Sequence, residues 1–263
     1  MKAMIRYQYQ IFWLALTFFS RIPMPPSLPY SEQRMNHAGR YFALVGLLIG
    51  LLLTVCLMTI SLVLPLSVSL LITIIMGALL TGAFHEDGLA DMVDGLGGGY
   101  TVEQRLTIMK DSRLGTYGAL ALILSVLLRY ELLLALIPHI KAWVVFLLGH
   151  GVSRSIAGSL IFNTPYVSDL DQSKSKPLAK NQRLFELLIL LFTGALPLFF
   201  LQPIPVLCVL VTLMTFRWFF RRWLLRSLGG FVGDCLGAAQ QISEIFIYIT
   251  LLVLLSQGML IVR

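Results

Sequence analysis

Acidic residues are concentrated in one short part of this chain. Six of its thirteen carboxylates fall between residues 86 and 111. If the segment 84–95 is helical, Asp87, Asp91 and Asp94 lie at i, i+4 and i+7 and project from one face. Like charges this close repel, so the face must bind a cation, share protons, pair with basic residues or stand in solvent. Carboxylate oxygens suit Mg²⁺, and the spacing predicts a Mg²⁺ site at these three aspartates.

Glycines and basic residues follow the acidic segment. Gly97 and Gly98 belong to a glycine cluster whose backbone amides can approach a phosphate closely. Arg105, Lys110 and Arg113 then supply cations in the same part of the chain. Carboxylates for a metal and cations for phosphate oxygens are what phosphoryl transfer requires, so the segment predicts that chemistry. The alternative is that these charges pair with one another.

Three further residues are candidates for the same site. Asp234 follows three glycines and either completes a metal site or contacts a sugar hydroxyl, the alternative being a helix N-cap. Arg154 lies deep in an apolar run, where an unpaired charge is costly, and we expect it to point into the bundle toward the carboxylates. On an ideal helix His85 lies opposite Asp87, which suits a general base or a residue that supports the ligands better than a metal ligand.

The composition is that of a membrane protein. Of 263 residues, 57% are apolar and 13% are charged, which predicts an all-α, polytopic membrane bundle forming a single domain over residues 1–263. A transmembrane helix needs about 20 apolar residues. The N-terminal segment Tyr7–Ser20 is predicted to be an interfacial helix. Seven spans are predicted, at residues 41–64, 66–84, 116–138, 142–162, 184–201, 204–220 and 242–262.

The basic residues predict the orientation in the membrane. Sixteen of the twenty Lys and Arg residues fall at the N-terminus or in loops that seven spans would place on the same side. The positive-inside rule assigns that side to the cytoplasm. The loops 85–115 and 217–241 would then carry the active site on the cytoplasmic face. Because the net charge of +7 is accounted for by this topology, we expect no nucleic-acid partner.

Two long motifs resemble a known family. The run His85–Gly95 reads HEDGLADMVDG, and the run Ile108–Gly118 reads IMKDSRLGTYG. With the Ser-Arg pair at Arg154 and the glycine-rich turn before Asp234, they resemble the cobalamin synthases, the adenosylcobinamide-GDP ribazoletransferases of vitamin B12 assembly. The resemblance covers nearly the whole chain. Glu86 departs from it, because the family usually has an apolar residue there.

The resemblance implies a Mg²⁺-dependent enzyme of the bacterial inner membrane that joins adenosylcobinamide-GDP to α-ribazole or its 5′-phosphate and releases GMP. Under this hypothesis the three aspartates hold Mg²⁺ against the diphosphate, with Asp111 as a further ligand. The proton of the attacking hydroxyl goes to Asp94, Asp111 or His85. The residues expected to bind phosphate oxygens are Arg105, Lys110, Arg113 and Arg154.

Two other functions are compatible with the same residues. A CDP-alcohol phosphatidyltransferase would use spaced aspartates with a CDP-lipid donor. A cation-coupled transporter would also hold acidic residues near the membrane, although at the middle of the bilayer. The expected partners are the lipid bilayer and the two substrates, together with either a second copy of the chain or other enzymes of cobalamin assembly.

Overall fold

The structure is a computed structural model that describes residues 2–23, 25, 28–167 and 180–262. Within these residues the chain is helical, and its β-structure is limited to two isolated bridges. The predicted all-α class is confirmed. Lys174 and Lys176, two of the sixteen basic residues assigned to the cytoplasmic side, lie outside the described residues.

Twelve α-helices occur in the described residues. In chain order they are α1 (Lys2–Phe19), α2 (Glu32–Ala38), α3 (Phe42–Ile60), α4 (Leu66–Thr81), α5 (Phe84–Gly98), α6 (Val102–Lys110), α7 (Thr116–Leu136), α8 (Ala142–Leu147), α9 (Ser153–Asn163), α10 (Leu184–Ala195), α11 (Pro203–Ser227) and α12 (Gly233–Ser256). A π-helical turn, Leu148–Val152, joins α8 and α9 into one apolar helix. The N-terminal helix predicted at Tyr7–Ser20 corresponds to α1.

The membrane-spanning helices partly match the seven that the sequence predicts. In the described residues, five helices are long and apolar enough to cross a membrane: Glu32–Ile60, Thr116–Leu136, Ala142–Asn163, Pro203–Ser227 and Gly233–Ser256. Helices α4 and α5 meet the same criterion only when counted together, which raises the number to six. The remaining predicted span, 184–201, corresponds to a shorter apolar helix that ends in a 3-10 turn, Leu196–Phe200.

A sharp break separates α4 from α5. The predicted span 66–84 ends at Thr81, because Gly82 and Ala83 take left-handed conformations with φ of 69° and 56°. Glycine adopts this conformation readily, whereas alanine does so at a steric cost. The two helices consequently meet at 85°. Helix α5 turns away from the direction of α4, and it is too short and too polar to cross a membrane by itself.

The loop predicted at 217–241 is mostly helical. Helix α11 runs to Ser227 and α12 begins at Gly233, so only residues 228–232 form the turn between them. The misleading feature was a pair of polar residues, Gln240 and Gln241, that lowers the hydropathy before residue 242. Both are buried inside the bundle, where they hydrogen-bond to Glu244 and Glu86, so the helix can start earlier than hydropathy predicts.

Helices α5 and α12 approach each other unusually closely. A Cβ atom added to Gly88 would lie 3.0 Å from the Asp234 carbonyl oxygen, and one added to Gly237 would lie 3.1 Å from the His85 carbonyl oxygen. Small residues on both helices allow backbones to pack at this distance. The contact brings the first turn of α12, including Asp234, beside the acidic residues of α5.

Candidate active site

Helix α5 carries the acidic face, which we define as Asp87, Asp91 and Asp94. The helix predicted at 84–95 is confirmed, since α5 covers Phe84–Gly98. Exposure falls along the helix, because Asp87 is exposed, Asp91 is half-buried and Asp94 is 8% exposed. The acidic face therefore runs from solvent into the protein, and its three carboxylates lie in different environments.

Asp94 caps the N-terminus of helix α7. Its two carboxylate oxygens accept hydrogen bonds from the backbone N–H groups of Gly115 and Gly118, both at 2.8 Å. These amides lie in the first turn of α7, where N–H groups have no partner within the helix. A Cβ atom on either glycine would collide with the Asp94 carboxylate. The sequence assigned Asp94 to metal binding and catalysis and missed this cap, although the two glycines three residues apart were a signal for it.

Asp91 lies in a strongly acidic environment. Its pKa is raised from 3.8 to about 7, first by burial and then by the negative charges of Asp87, Asp234 and Asp94. The structure therefore brings Asp234 of α12 near the acidic face, while the N-cap position that the sequence offered as the alternative for Asp234 is taken by Val232. Carboxylates that raise one another's pKa in this way are stabilised by a bound cation.

The carboxylates around Asp91 suit an open metal site rather than an enclosed one. Among the described residues, no three His, Cys, Asp or Glu side chains lie close enough together to enclose a metal ion. Mg²⁺, however, is commonly held by one or two carboxylates while substrate phosphates and water complete its coordination. Asp87, Asp91 and Asp234 offer hard oxygen ligands at a point of excess negative charge, so the acidic face fits Mg²⁺ bound in this open manner.

Asp111 is paired with a basic residue. It is partly exposed and forms a salt bridge with Arg113, whose Nε donates to Asp111 Oδ2 at 2.9 Å. The hydrogen bonds from Arg113 lower the pKa of Asp111. Asp111 is not among the groups that raise the pKa of Asp91. The structure thus places Asp111, Arg113 and the exposed Lys110 together at the end of α6.

Arg105 is held by the protein backbone. Its Nε donates to the carbonyl oxygen of Gly99 at 2.9 Å, and its Nη1 donates to the carbonyl oxygen of Ser227 at 2.8 Å. These contacts join the end of α5 to the end of α11. Gly97 and Gly98 lie at the exposed end of α5. Arg105 is therefore a structural link in this state, while the two glycines remain open to solvent.

His85 points away from the acidic face, as the helical geometry predicted. It is 1% exposed, and its ring stacks nearly parallel to Phe19 and Phe42 at centroid distances of 6.0 and 5.7 Å. Its Nε2 is buried and has no hydrogen-bond partner within the described residues. The structure thus places His85 inside the aromatic core, apart from the aspartates.

Arg154 belongs to a buried ionic cluster, which we define as Glu86, Arg129, His150, Arg154 and Glu244. Arg154 is 1% exposed, and its Nη1 donates to the His150 carbonyl oxygen at 3.0 Å. Arg129 lies 3.4 Å from Glu86 and 3.9 Å from Glu244. Arg154 does point into the bundle, but its neighbours are this cluster rather than the acidic face. Sequence reasoning missed His150 and Glu244, which are distant along the chain from the other members.

The buried ionic cluster surrounds a cavity of about 30 Å³. Polar atoms without a hydrogen-bond partner in the described residues include Glu86 Oε2, Arg129 Nε and Arg154 Nε, and all three residues line the cavity. A polar cavity of this size is large enough for ordered water. Because Glu86 lies on α5 beside Asp87, the cluster also anchors the helix that carries the acidic face.

The chain is similar in sequence to proteins of one named family. The family model for cobalamin-5-phosphate synthase matches residues 11–252. A Vibrio parahaemolyticus protein named adenosylcobinamide-GDP ribazoletransferase is 51% identical over 251 residues, which covers 95% of each chain. Proteins of the same name from Vibrio cholerae and Shewanella frigidimarina are 52% and 47% identical, covering 99% and 93% of this chain and 100% and 95% of theirs. No solved structure matches the chain.

These matches extend over almost the entire chain and include both of the long motifs described above. The chain belongs to the cobalamin-5-phosphate synthase family.

Proposed function

We propose that this protein joins adenosylcobinamide-GDP to α-ribazole or α-ribazole 5′-phosphate and releases GMP. The observation that carries this proposal is identity of about half of all residues, over almost the full length, to relatives named for that transfer. In the reaction a ribazole hydroxyl oxygen attacks the phosphorus that bears the cobinamide arm. The new oxygen–phosphorus bond forms as the bond from that phosphorus to GMP breaks, and GMP leaves with the bonding electron pair.

The acidic face is our proposed Mg²⁺ site. Asp87 and Asp91 would hold the ion, with Asp234 beside them and Asp94 adding negative charge from its position below the N-terminus of α7. A bound Mg²⁺ would neutralise charge on the diphosphate and on the departing GMP. The raised pKa of Asp91 supports this assignment, because a site with surplus negative charge favours a cation.

The phosphate oxygens require cations as well as a metal. Lys110 and Arg113 are exposed at the end of α6 and are our proposed phosphate ligands. Arg105 and Arg154 were also predicted to contact phosphate. In this structure Arg105 is hydrogen-bonded to backbone carbonyls at the end of α5, and Arg154 lines the same buried cavity as Glu86 of α5, so we assign both a structural role.

The proton acceptor is expected among Asp94, Asp111 and His85. Both carboxylate oxygens of Asp94 already accept backbone hydrogen bonds from the start of α7. His85 is enclosed by aromatic rings. Asp111 is the most exposed member of the three, and its carboxylate becomes available when Arg113 leaves it for a substrate phosphate, so we assign the proton to Asp111.

We further place the enzyme in the bacterial inner membrane with the acidic face toward the cytoplasm. The positive-inside rule supports this orientation when the shorter apolar helix Leu184–Phe200 is also counted as a span, because sixteen of the twenty basic residues then lie on the side of these loops.

GMP release is the direct test of the proposed function. Membranes containing the protein are incubated with adenosylcobinamide-GDP and α-ribazole, with Mg²⁺ or with a chelator, and GMP and the corrinoid product are quantified. The proposal expects equal amounts of both products, and only when Mg²⁺ is present. Release of CMP from a CDP-lipid, with no turnover of the corrinoid donor, would contradict it.

A further inference from the structure

A groove on the outer surface of the bundle lies far along the chain from α5. It has a volume of about 670 Å³ and lies between the C-terminal half of α11 and the middle of α12. Its walls are mostly aromatic, and its charged residues are all basic. The residues that line it include Trp218, Arg222, Trp223 and Arg226 of α11 and Ile242 and Phe246 of α12.

The four arginines of α11 form two pairs that differ in their partners. Arg217 and Arg221 turn toward α9, where they donate to the Ser159 hydroxyl at 2.6 Å and to the Asn163 carbonyl oxygen at 2.9 Å. All the acceptors of this first pair come from the protein itself. Hydrogen bonds to α9 therefore compensate the charges of Arg217 and Arg221 within the fold.

The second pair faces the groove. Arg222 and Arg226 are exposed, and within the described part of the chain neither side chain forms a hydrogen bond or a salt bridge. The Arg222 guanidinium lies 4.8 Å above the Trp218 ring, a cation–π contact that fixes its direction. Because Arg222 and Arg226 are four residues apart on one helix, their like charges repel, and one bound anion would relieve that repulsion.

The other features of the groove select the kind of anion. Trp218 and Trp223 are 51% and 44% exposed, as is typical of aromatic residues at the interface between lipid and water. Below them the groove is lined by Phe216, Ile242 and Phe246, whose side chains suit hydrocarbon and not a nucleotide. Basic pockets between membrane helices with an apolar floor match the headgroup and acyl chains of an acidic phospholipid.

We propose that this groove binds one acidic phospholipid of the phosphatidylglycerol type. Its phosphate would lie between Arg222 and Arg226, and its acyl chains would run along the aromatic wall between α11 and α12. This site is separate from the acidic face and does not depend on the proposed reaction. It gives α11, the helix whose end is tied to α5 through Arg105, a specific contact with the membrane surface.

The test measures lipid retention. The full chain is reconstituted in nanodiscs with equal amounts of phosphatidylcholine and phosphatidylglycerol, and the lipid that stays bound on release is identified by native mass spectrometry. The natural chain should retain phosphatidylglycerol preferentially. An arginine near the membrane surface contributes about 1 kcal/mol toward anionic lipid, or about fivefold, so Arg222→Gln with Arg226→Gln should lower the preference roughly 30-fold.

Two further variants make the result decisive. Replacing both groove arginines by Lys keeps the charges and should restore most of the preference, while Arg6→Gln removes an exposed cation of α1 and should leave it unchanged. Equal retention of both lipids by the natural chain would overturn the proposal, because the bound lipid would then be nonspecific. The proposal would also be overturned if the double Gln variant kept its preference for phosphatidylglycerol or if Arg6→Gln lowered that preference equally. A folded double Lys variant that did not restore the preference would likewise overturn it.

Discussion

Asp91 should stabilise the fold less than a neutral residue would. Its pKa is raised from 3.8 to about 7, so its charge is unfavourable in the folded state. A difference of about 3 in pKa corresponds to about 4 kcal/mol. Because Asp91 is only half-buried, solvent screens part of this energy, and we take roughly half, about 2 kcal/mol. Asp91→Asn should therefore stabilise the metal-free protein while it removes a proposed metal ligand.

The pH dependence follows from the sign of the shift. In the folded protein Asp91 holds its proton up to about pH 7, whereas in the unfolded chain it loses it near pH 4. The stability of the natural chain should thus fall as pH rises from about 4 to about 7 and then level off. The advantage of Asp91→Asn should be absent at low pH and complete above about pH 7.

Thermal unfolding in detergent, followed by intrinsic fluorescence with a chelator present, measures this difference. For a chain of this size about 2 kcal/mol corresponds to a rise in Tm of roughly 4–8 °C. Added Mg²⁺ should raise the Tm of the natural chain but not that of Asp91→Asn, and GMP release should be lost in the variant. A Tm at about pH 8 that is equal to or below that of the natural chain would show that the surplus negative charge around Asp91 is compensated and that our reasoning is wrong.

Two other predictions concern the packing that supports α5. Gly118→Ala should lower the free energy of unfolding by about 2–4 kcal/mol, because the added Cβ would collide with the Asp94 carboxylate and break the cap of α7. Gly233 has open space around it, so Gly233→Ala should change stability little in the same melting assay. Glu244→Gln should cost about 3 kcal/mol, because it leaves two buried arginines, Arg129 and Arg154, with Glu86 as the remaining carboxylate of the cluster. The exposed Glu131→Gln should be nearly neutral, and detergent-resistant folding after purification distinguishes the two variants.

The sequence was sufficient for features set by spacing along the chain. The i, i+4, i+7 pattern predicted that Asp87 and Asp91 share a helical face, and α5 confirms it. The same geometry predicted that His85 points the other way. Hydropathy located the apolar helices, but it extended one span through Gly82 and Ala83, because nothing in the composition of that run shows a left-handed break.

Contacts between distant segments could not be predicted in this way. Asp94 was assigned to chemistry, yet its oxygens are bound to amides that follow more than twenty residues later. Arg154 was expected near the aspartates and instead packs beside His150 and Glu244. Side-chain spacing fixes which residues share a face of one helix, but it does not determine which face of another helix meets them.

Helix α5 holds carboxylates in two opposite electrostatic environments, and this contrast separates structure from function. Glu86 accepts hydrogen bonds from Arg129 and Gln241, so its charge is compensated within the bundle. Asp91 is on the same helix, yet burial and other carboxylates raise its pKa. Arg129 lies against Glu86, whereas Asp91 is repelled by neighbouring carboxylates, and this repulsion lowers the stability of the fold. Under the function that we propose, a cation bound with the substrate would offset that cost, because the negative charge that destabilises the metal-free site is the charge that would bind the ion.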